Sequence, residues 1–167
     1  FKKKMRDQNE IDDFYDIYAF YNLAFNFRPT EINGFIGNTQ IKYWDEIVSK
    51  REENFNTFND AIKTNEDLIQ LNVEGMDIVS NFGMPVVFKS KELFEKYKKK
   101  FIDNNIEIRP IIAGNIAEQP FMKNKKCFKT DLKNSEYISE NGFYFGNNPE
   151  MTEEEISRIT NLLKRSE

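Results

Sequence analysis

Apolar residues recur at three- and four-residue steps from Ile32 onward: Ile32, Phe35, Ile36, Tyr43, Trp44, Ile47, Val48, Phe55, Phe58 and Ile62. That spacing lays them along one stripe of an α-helix of roughly eight turns. Thr30, behind Pro29, stands where an N-cap is needed. A helix this long is unusual inside one compact domain, so the pattern predicts a segment that crosses between parts of a larger protein or packs in an oligomer. Ahead of it, residues 1–29 are charged and then aromatic (Phe14, Tyr15, Tyr18, Phe20, Tyr21, Phe25, Phe27) without a period. They read as an irregular arm that rests on something else.

Beyond the long helix the pattern breaks into short elements. Residues 64–81 are polar and carry Gly75, which predicts a loop with a short strand at 68–72. Phe82–Phe88 is a short apolar run with β-branched residues, hence a strand, and Pro85 places it at a sheet edge or a bulge. Ser90 can cap a helix carrying Leu93, Phe94, Tyr97 and Phe101 that ends near Asn104 and Asn105. Ile106–Ile112 alternates weakly and predicts a second strand. Residues 113–135 show little periodicity and read as a long loop, of the kind that often carries function. Gly142–Gly146 predicts a third strand. Thr152 and Glu155 form a capping box, with Met151 and Ile156 placed for a hydrophobic staple. Ile156, Ile159, Leu162 and Leu163 then give the final helix its buried face. The fold class predicted is α+β, a small sheet covered by helices.

Composition narrows the chemistry. The 167 residues are 39% apolar and 31% charged, with 28 acids against 24 bases. A net charge of −4 argues against a dedicated nucleic-acid partner. No apolar run reaches the ~20 residues needed to span a bilayer, and Phe1-Lys2-Lys3-Lys4 leads into no apolar stretch, so neither a membrane partner nor a signal peptide is expected. One cysteine, Cys127, precludes an internal disulfide and suits a reducing compartment, hence the cytoplasm. There is no histidine, so this sequence offers no histidine base and none of the commonest zinc ligands.

Candidate chemistry is correspondingly sparse. The lysine runs at Lys2–Lys4, Lys98–Lys100 and Lys123–Lys126 could meet phosphate, but each has acids nearby and reads more simply as a solvated face. Asp12-Asp13 and Glu153-Glu154-Glu155 lack companion ligands for a metal, and the second group is accounted for by the helix dipole. Cys127 lies among lysines that would lower its pKa, without a histidine to act as its base. Two segments remain. Asn26-Phe27-Arg28-Pro29-Thr30-Glu31 sets an amide, a guanidinium and a carboxylate before a helix N-terminus, where an anion can bind; an ordinary turn with an Arg–Glu pair is the simpler alternative. Arg109–Pro120 sets Arg109, Asn115, Glu118 and Gln119 around a strand end and loop, a mixture able to grip a hydroxyl-rich or phosphorylated ligand.

Together these two segments resemble a known family. Asn22–Arg51 is similar to the Gly-Tyr-Asn-x-Arg-x-Thr-Glu-Ile-x-x-x-x-Gly-x-x-Gln-Leu stretch of the DegT/DnrJ/EryC1/StrS sugar aminotransferases and dehydratases, which are fold-type-I pyridoxal-phosphate (PLP) enzymes acting on nucleotide-linked keto-sugars. Ile108–Pro120 resembles the Arg-x-x-x-Ala-Gly-Asn-x-x-x-Gln-Pro stretch of one branch, the 3-dehydratases of 4-keto-6-deoxyhexoses. Asn141–Glu155 is similar to the family's last strand and helix. The resemblance covers roughly residues 20–165, with two departures: Ala24 replaces a usual glycine, and Asn148 stands where many members have histidine or an aromatic residue.

The resemblance implies the smaller, C-terminal domain of a fold-type-I enzyme. Residues 1–29 would be an arm from a large domain, 30–63 a connecting helix, and 64–167 the small α+β domain. It implies PLP or pyridoxamine phosphate (PMP) as cofactor, held mainly by the large domain together with the lysine or histidine that does the acid–base chemistry. This stretch alone would then be inactive and contain no catalytic residue. Asn26 would reach across a homodimer to the neighbour's cofactor phosphate with Arg28 beside it, and Arg109, Asn115 and Gln119 would face the nucleotide-sugar. The implied activity is C3 dehydration in deoxysugar or lipopolysaccharide biosynthesis. An amino-sugar-forming aminotransferase is the alternative within the family, and a non-catalytic binding module the alternative outside it.

Overall fold

A computed structural model describes residues 2–22, 30–112, 114–123 and 131–165. The chain divides into two compact units that interleave in sequence. One holds the described residues of Phe1–Leu23, Asp67–Ile69 and Pro85–Phe145; the other holds those of Ala24–Glu66, Gln70–Met84 and Gly146–Glu167.

The first unit is built on a three-stranded sheet among the described residues, with strands β1 (Gly83–Val87), β2 (Ile108–Pro110) and β3 (Gly142–Gly146) in the order β1-β3-β2. Pro85 therefore sits on an edge strand, where its missing N–H costs no ladder bond. β2 and β3 are antiparallel, with Arg109 opposite Tyr144. Leu68 forms a single antiparallel bridge with Phe88, so the strand expected at 68–72 shrinks to one bridge.

Helix α4 (Lys91–Asp103) covers one face. Its start is the expected cap: the Ser90 hydroxyl accepts from the Leu93 N–H at 3.3 Å. Its end is set by Asn105, which adopts a left-handed φ of 56°, a conformation that asparagine tolerates better than most residues. Phe94, Tyr97 and Phe101 point inward from α4 and are fully buried. They meet Phe88, Phe143 and Phe145 with ring centroids 5.0–6.2 Å apart. This aromatic cluster is the unit's core, and edge-to-face and tilted pairs of this kind add to the area they bury.

Three features of this unit depart from expectation. The arm is not irregular throughout, because Lys2–Gln8 forms a helix, α1, and Asp16–Tyr18 a 3-10 turn. Within the loop expected at 113–135, Ile116–Glu118 and Pro120–Met122 are 3-10 turns. A further helix, α5 (Lys133–Asn141), begins at its end. It is short and mostly polar, so it has no apolar stripe long enough to register in the sequence.

The second unit contains the helical run. It consists of α2 (Glu31–Gln40), a 3-10 turn at Ile41–Tyr43, and α3 (Trp44–Lys63). The α2 start is closed by Asn33, whose Oδ1 accepts from both the Thr30 N–H and hydroxyl at 2.9 and 2.8 Å. The interruption falls where Ile41, Tyr43 and Trp44 lie within four residues, all weaker helix formers and all exposed, so no packing offsets their low propensity. From Asn54 on, α3 is buried against α6 (Glu153–Leu163), joining Phe55, Phe58 and Ile62 to Ile159, Leu162 and Leu163. The α6 capping box is formed as expected: Thr152 Oγ1 accepts from the Glu155 N–H, and Glu155 Oε2 accepts from the Thr152 N–H.

Candidate functional site

The first unit contains a cavity of about 790 Å³ beside the loop that follows β2. Asn115 and Gln119 line it, together with Tyr15 and Tyr18 of the N-terminal segment and Ser139 of α5. The loop's course depends on Gly114, which has a φ of +66° and would place a Cβ 2.9 Å from Ser139 Oγ. The left-handed φ favours glycine there, and a Cβ would push the Ser139 hydroxyl aside.

Asn115 is 6% exposed. Its Oδ1 accepts from the Ala117 N–H at 3.1 Å, which starts the 3-10 turn. Its Nδ2 is buried and has no hydrogen-bond partner among the described residues. A buried donor left unmatched is costly, so this position favours an acceptor brought from outside. Gln119 is engaged differently. Its Oε1 accepts from the Phe20 N–H and its Nε2 donates to the Tyr18 carbonyl, both at 2.9 Å. It ties the N-terminal segment to the loop.

Arg109 lies on β2, next to the cavity residue Pro110. Its Nε and Nη2 donate to Glu107 Oε1 at 2.8 and 2.6 Å, and its side chain keeps 46% of its surface open. The Glu107 carboxylate first, then the Tyr18 and Tyr144 hydroxyls, raise its already high pKa. Tyr144, opposite Arg109 across the strands, is 8% exposed and shares a hydroxyl–hydroxyl hydrogen bond with Tyr18. Burial, followed by that bond, raises the Tyr144 pKa. Sequence reasoning did not single out Tyr18 or Tyr144. The run Phe143-Tyr144-Phe145 is apolar throughout, so the face on which Tyr144 lies is not readable from it.

Among the described residues the cavity wall is acidic: Glu10, Asp12, Glu118, Glu136 and Glu140 surround one cation, Lys91. Lys91 donates to the Glu140 carbonyl at 2.9 Å and lies 3.8 Å from the Glu95 carboxylate. Carboxylates accept hydrogen bonds from hydroxyl groups and repel phosphate. Among the described residues no three His, Cys, Asp or Glu side chains are grouped to hold a metal ion. Nor is any helix of these residues long and apolar enough to cross a membrane. Asn26, Arg28 and Cys127 lie outside the described residues.

The family model described as the DegT/DnrJ/EryC1/StrS aminotransferase family matches residues 2–164. The chain belongs to this family. Among the family's curated members it is similar to the GDP-4-keto-6-deoxy-D-mannose 3-dehydratase of Yersinia pseudotuberculosis, with 30% identity over 169 residues, 95% of this chain and 41% of the relative. It is also similar to the lipopolysaccharide biosynthesis protein RfbH of Salmonella typhimurium, with 26% identity over 147 residues, 85% of this chain and 33% of that protein. A crystal structure of a GDP-4-keto-6-deoxymannose-3-dehydratase with a trapped PLP–glutamate geminal diamine superposes with a TM-score of 0.66 and 28% identity, covering 92% of this chain and 40% of that one. The α+β architecture is thus that of part of a PLP-dependent, fold-type-I enzyme. The chain spans about two fifths of the length of this first dehydratase and of the superposed structure.

The family's cofactor carries a phosphate, and the cavity does not fit it. The described lining, five carboxylates and one ion-paired lysine, would leave a phosphate dianion unpaired and repelled.

Proposed function

We propose that the whole protein is a PLP- or PMP-dependent enzyme that removes the C3 hydroxyl of a nucleotide-linked 4-keto-6-deoxy sugar, in deoxysugar or lipopolysaccharide biosynthesis. The observation that carries this reading is the 30% identity with a GDP-4-keto-6-deoxy-D-mannose 3-dehydratase across 95% of the chain. When bound, the cofactor supplies an electron sink at the reacting sugar; Asn26 and Arg28 are the residues of this chain proposed to contact its phosphate. Arg109, with its charge on an open edge strand, is proposed to meet the diphosphate. The Asn115 Nδ2–H group, without a partner among the described residues, hydrogen-bonds to a sugar oxygen, and the neighbouring carboxylates accept from sugar hydroxyls. Gln119 holds the loop that carries Asn115 in register with the N-terminal segment.

In this reading residues 1–29 are an arm from a larger domain, 30–63 a connecting helix and 64–167 the smaller domain. The exposed stripe of Ile32, Phe35, Ile36 and Trp44 supports a place for the helix inside a homodimer. The protein is proposed to work in the cytoplasm, without nucleic-acid or membrane partners. This chain alone contributes binding groups and no catalytic residue.

The test is to supply the full-length protein with GDP-4-keto-6-deoxy-D-mannose, PLP and glutamate and to identify the product by mass spectrometry. Loss of the C3 oxygen supports the dehydratase. A sugar that instead gains an amino group at C4 supports the aminotransferase that the family's description also covers. Unchanged sugar, together with no cofactor absorbance, would overturn both and leave a binding module.

A further inference from the structure

We propose that Tyr144 and Tyr18 are positioning residues for Arg109, setting the affinity for the nucleotide-sugar without taking part in the chemistry. The inference rests on the reading of Arg109 as a substrate contact.

Arg109 is the exposed member of β2, between the buried Ile108 and Pro110. A long side chain on an edge strand is mobile, and fixing it in one geometry costs conformational entropy that binding would otherwise have to supply. Glu107 restrains it directly, and Tyr144, with Tyr18 bonded to it, stands across the strands. Glu107, two residues earlier and just ahead of β2, takes Nε and Nη2. Tyr144 stands directly opposite in the antiparallel register. Tyr18, from the 3-10 turn at Asp16–Tyr18, is joined to Tyr144 through the two hydroxyls, with ring centroids 6.5 Å apart.

These restraints differ in kind. A carboxylate both orients a guanidinium and offsets its charge, whereas phenolic hydroxyls orient it and leave the charge in place. An arginine held only by Glu107 would meet an anion as one half of a neutral pair. With the Tyr144–Tyr18 hydroxyl pair standing across the strands, it would keep one orientation as an anion approaches and competes with Glu107. The Tyr18 carbonyl is in turn held by Gln119 Nε2, so the hydroxyl pair is anchored through the segment that also borders Asn115.

The experiment is a double-mutant cycle in the full-length enzyme with GDP-4-keto-6-deoxy-D-mannose, using Tyr144→Phe, Tyr18→Phe and Arg109→Ala, with KM and kcat measured separately. Removing one hydroxyl should raise KM about two- to tenfold, the range of one hydrogen bond, and leave kcat within about twofold. In the Arg109→Ala background the same tyrosine substitutions should have no further effect on KM. Effects of Tyr144→Phe that add in full to those of Arg109→Ala, or that fall on kcat alone, would overturn the positioning role. An unchanged KM in Arg109→Ala itself would instead overturn the parent reading of Arg109. Thermal melting of each variant separates a folding defect, which lowers Tm and the active fraction, from a change in KM, which is independent of the active fraction. Tyr18→Phe offers a second route to the same loss if Tyr144→Phe unfolds.

Discussion

Gln119 donates its side-chain amide to the carbonyl of Tyr18, 101 positions earlier in the sequence, at 2.9 Å. The other end of the same amide accepts from the Phe20 N–H. Two backbone groups of the N-terminal segment thus depend on one buried side chain. Gln119→Ala should free this segment while leaving the aromatic core intact. Each unmatched buried group costs about 1–3 kcal/mol, so limited proteolysis should cut near residues 18–20 much faster than in the parent protein. Equal cleavage rates would show that the segment is held by other contacts.

Gly142 opens β3 where no side chain fits. A Cβ there would lie 2.8 Å from the Ile138 carbonyl oxygen and 3.3 Å from that of Val86. Both obstacles are backbone, so neither can swing away. Gly142→Ala should destabilise the chain by about 1–3 kcal/mol, read as a lower midpoint in urea.

In the second unit, Asn147 is 1% exposed and closes a knot of polar groups. Its Nδ2 donates to the Arg51 carbonyl at 2.9 Å and the Asn81 carbonyl at 3.0 Å, while its Oδ1 accepts from Asn54 at 3.1 Å. Asn147→Ala strands several buried partners at once and should cost about 2–4 kcal/mol. Asn147→Asp should be no milder, because a buried carboxylate cannot donate to the two carbonyls. Chemical denaturation of both variants checks this.

Alkaline pH should weaken the fold. Burial, then the Glu95 carboxylate, pushes the Tyr15 hydroxyl from 10 up to about 12. Burial, then its hydrogen bond to Asp16, does the same for Tyr21. Each pKa is raised in the folded state, so the folded protein holds its proton more tightly than the unfolded chain. This contribution is complete below pH 10 and is lost as pH rises from there towards 12. Denaturation midpoints should fall across that window, less steeply in Tyr15→Phe.

Thr152→Ala should remove the α6 cap at a cost of about 1 kcal/mol. In the parent protein the Thr152 N–H, and then its hydroxyl, hold Glu155 below the usual carboxylate range. A lowered pKa gives stability that is present above the ordinary carboxylate value and lost as pH falls through the folded one. The variant should therefore show a shallower loss of stability in acid.

Strong local signals were readable directly. Thr152 with Glu155 three residues on, and Ser90 before an amphipathic run, specify helix starts through contacts made within one turn, so nothing distant is needed to form them. Phe94, Tyr97 and Phe101 declared the buried face of α4 by their spacing alone. The family resemblance likewise needed only residues adjacent in sequence, from Asn22 to Arg51 and from Ile108 to Pro120. Helix α5 was missed because a nine-residue polar helix carries no periodic signal, and its place is set by contacts such as the Tyr137 hydroxyl on the Phe88 carbonyl.

By itself, then, the sequence determined the strongly periodic elements, the Ser90 and Thr152 caps and the family, because these rest on propensity, periodicity and contiguous motif. Only the tertiary structure decided what the candidate residues do to one another. Pairing Arg109 with Tyr144 requires a strand register, tying Gln119 to Tyr18 requires the N-terminal segment to fold back across the loop, and leaving Asn115 Nδ2 without a partner among the described residues requires the burial of its surroundings. Each depends on residues tens of positions apart or more being brought together in space, and local spacing does not encode that.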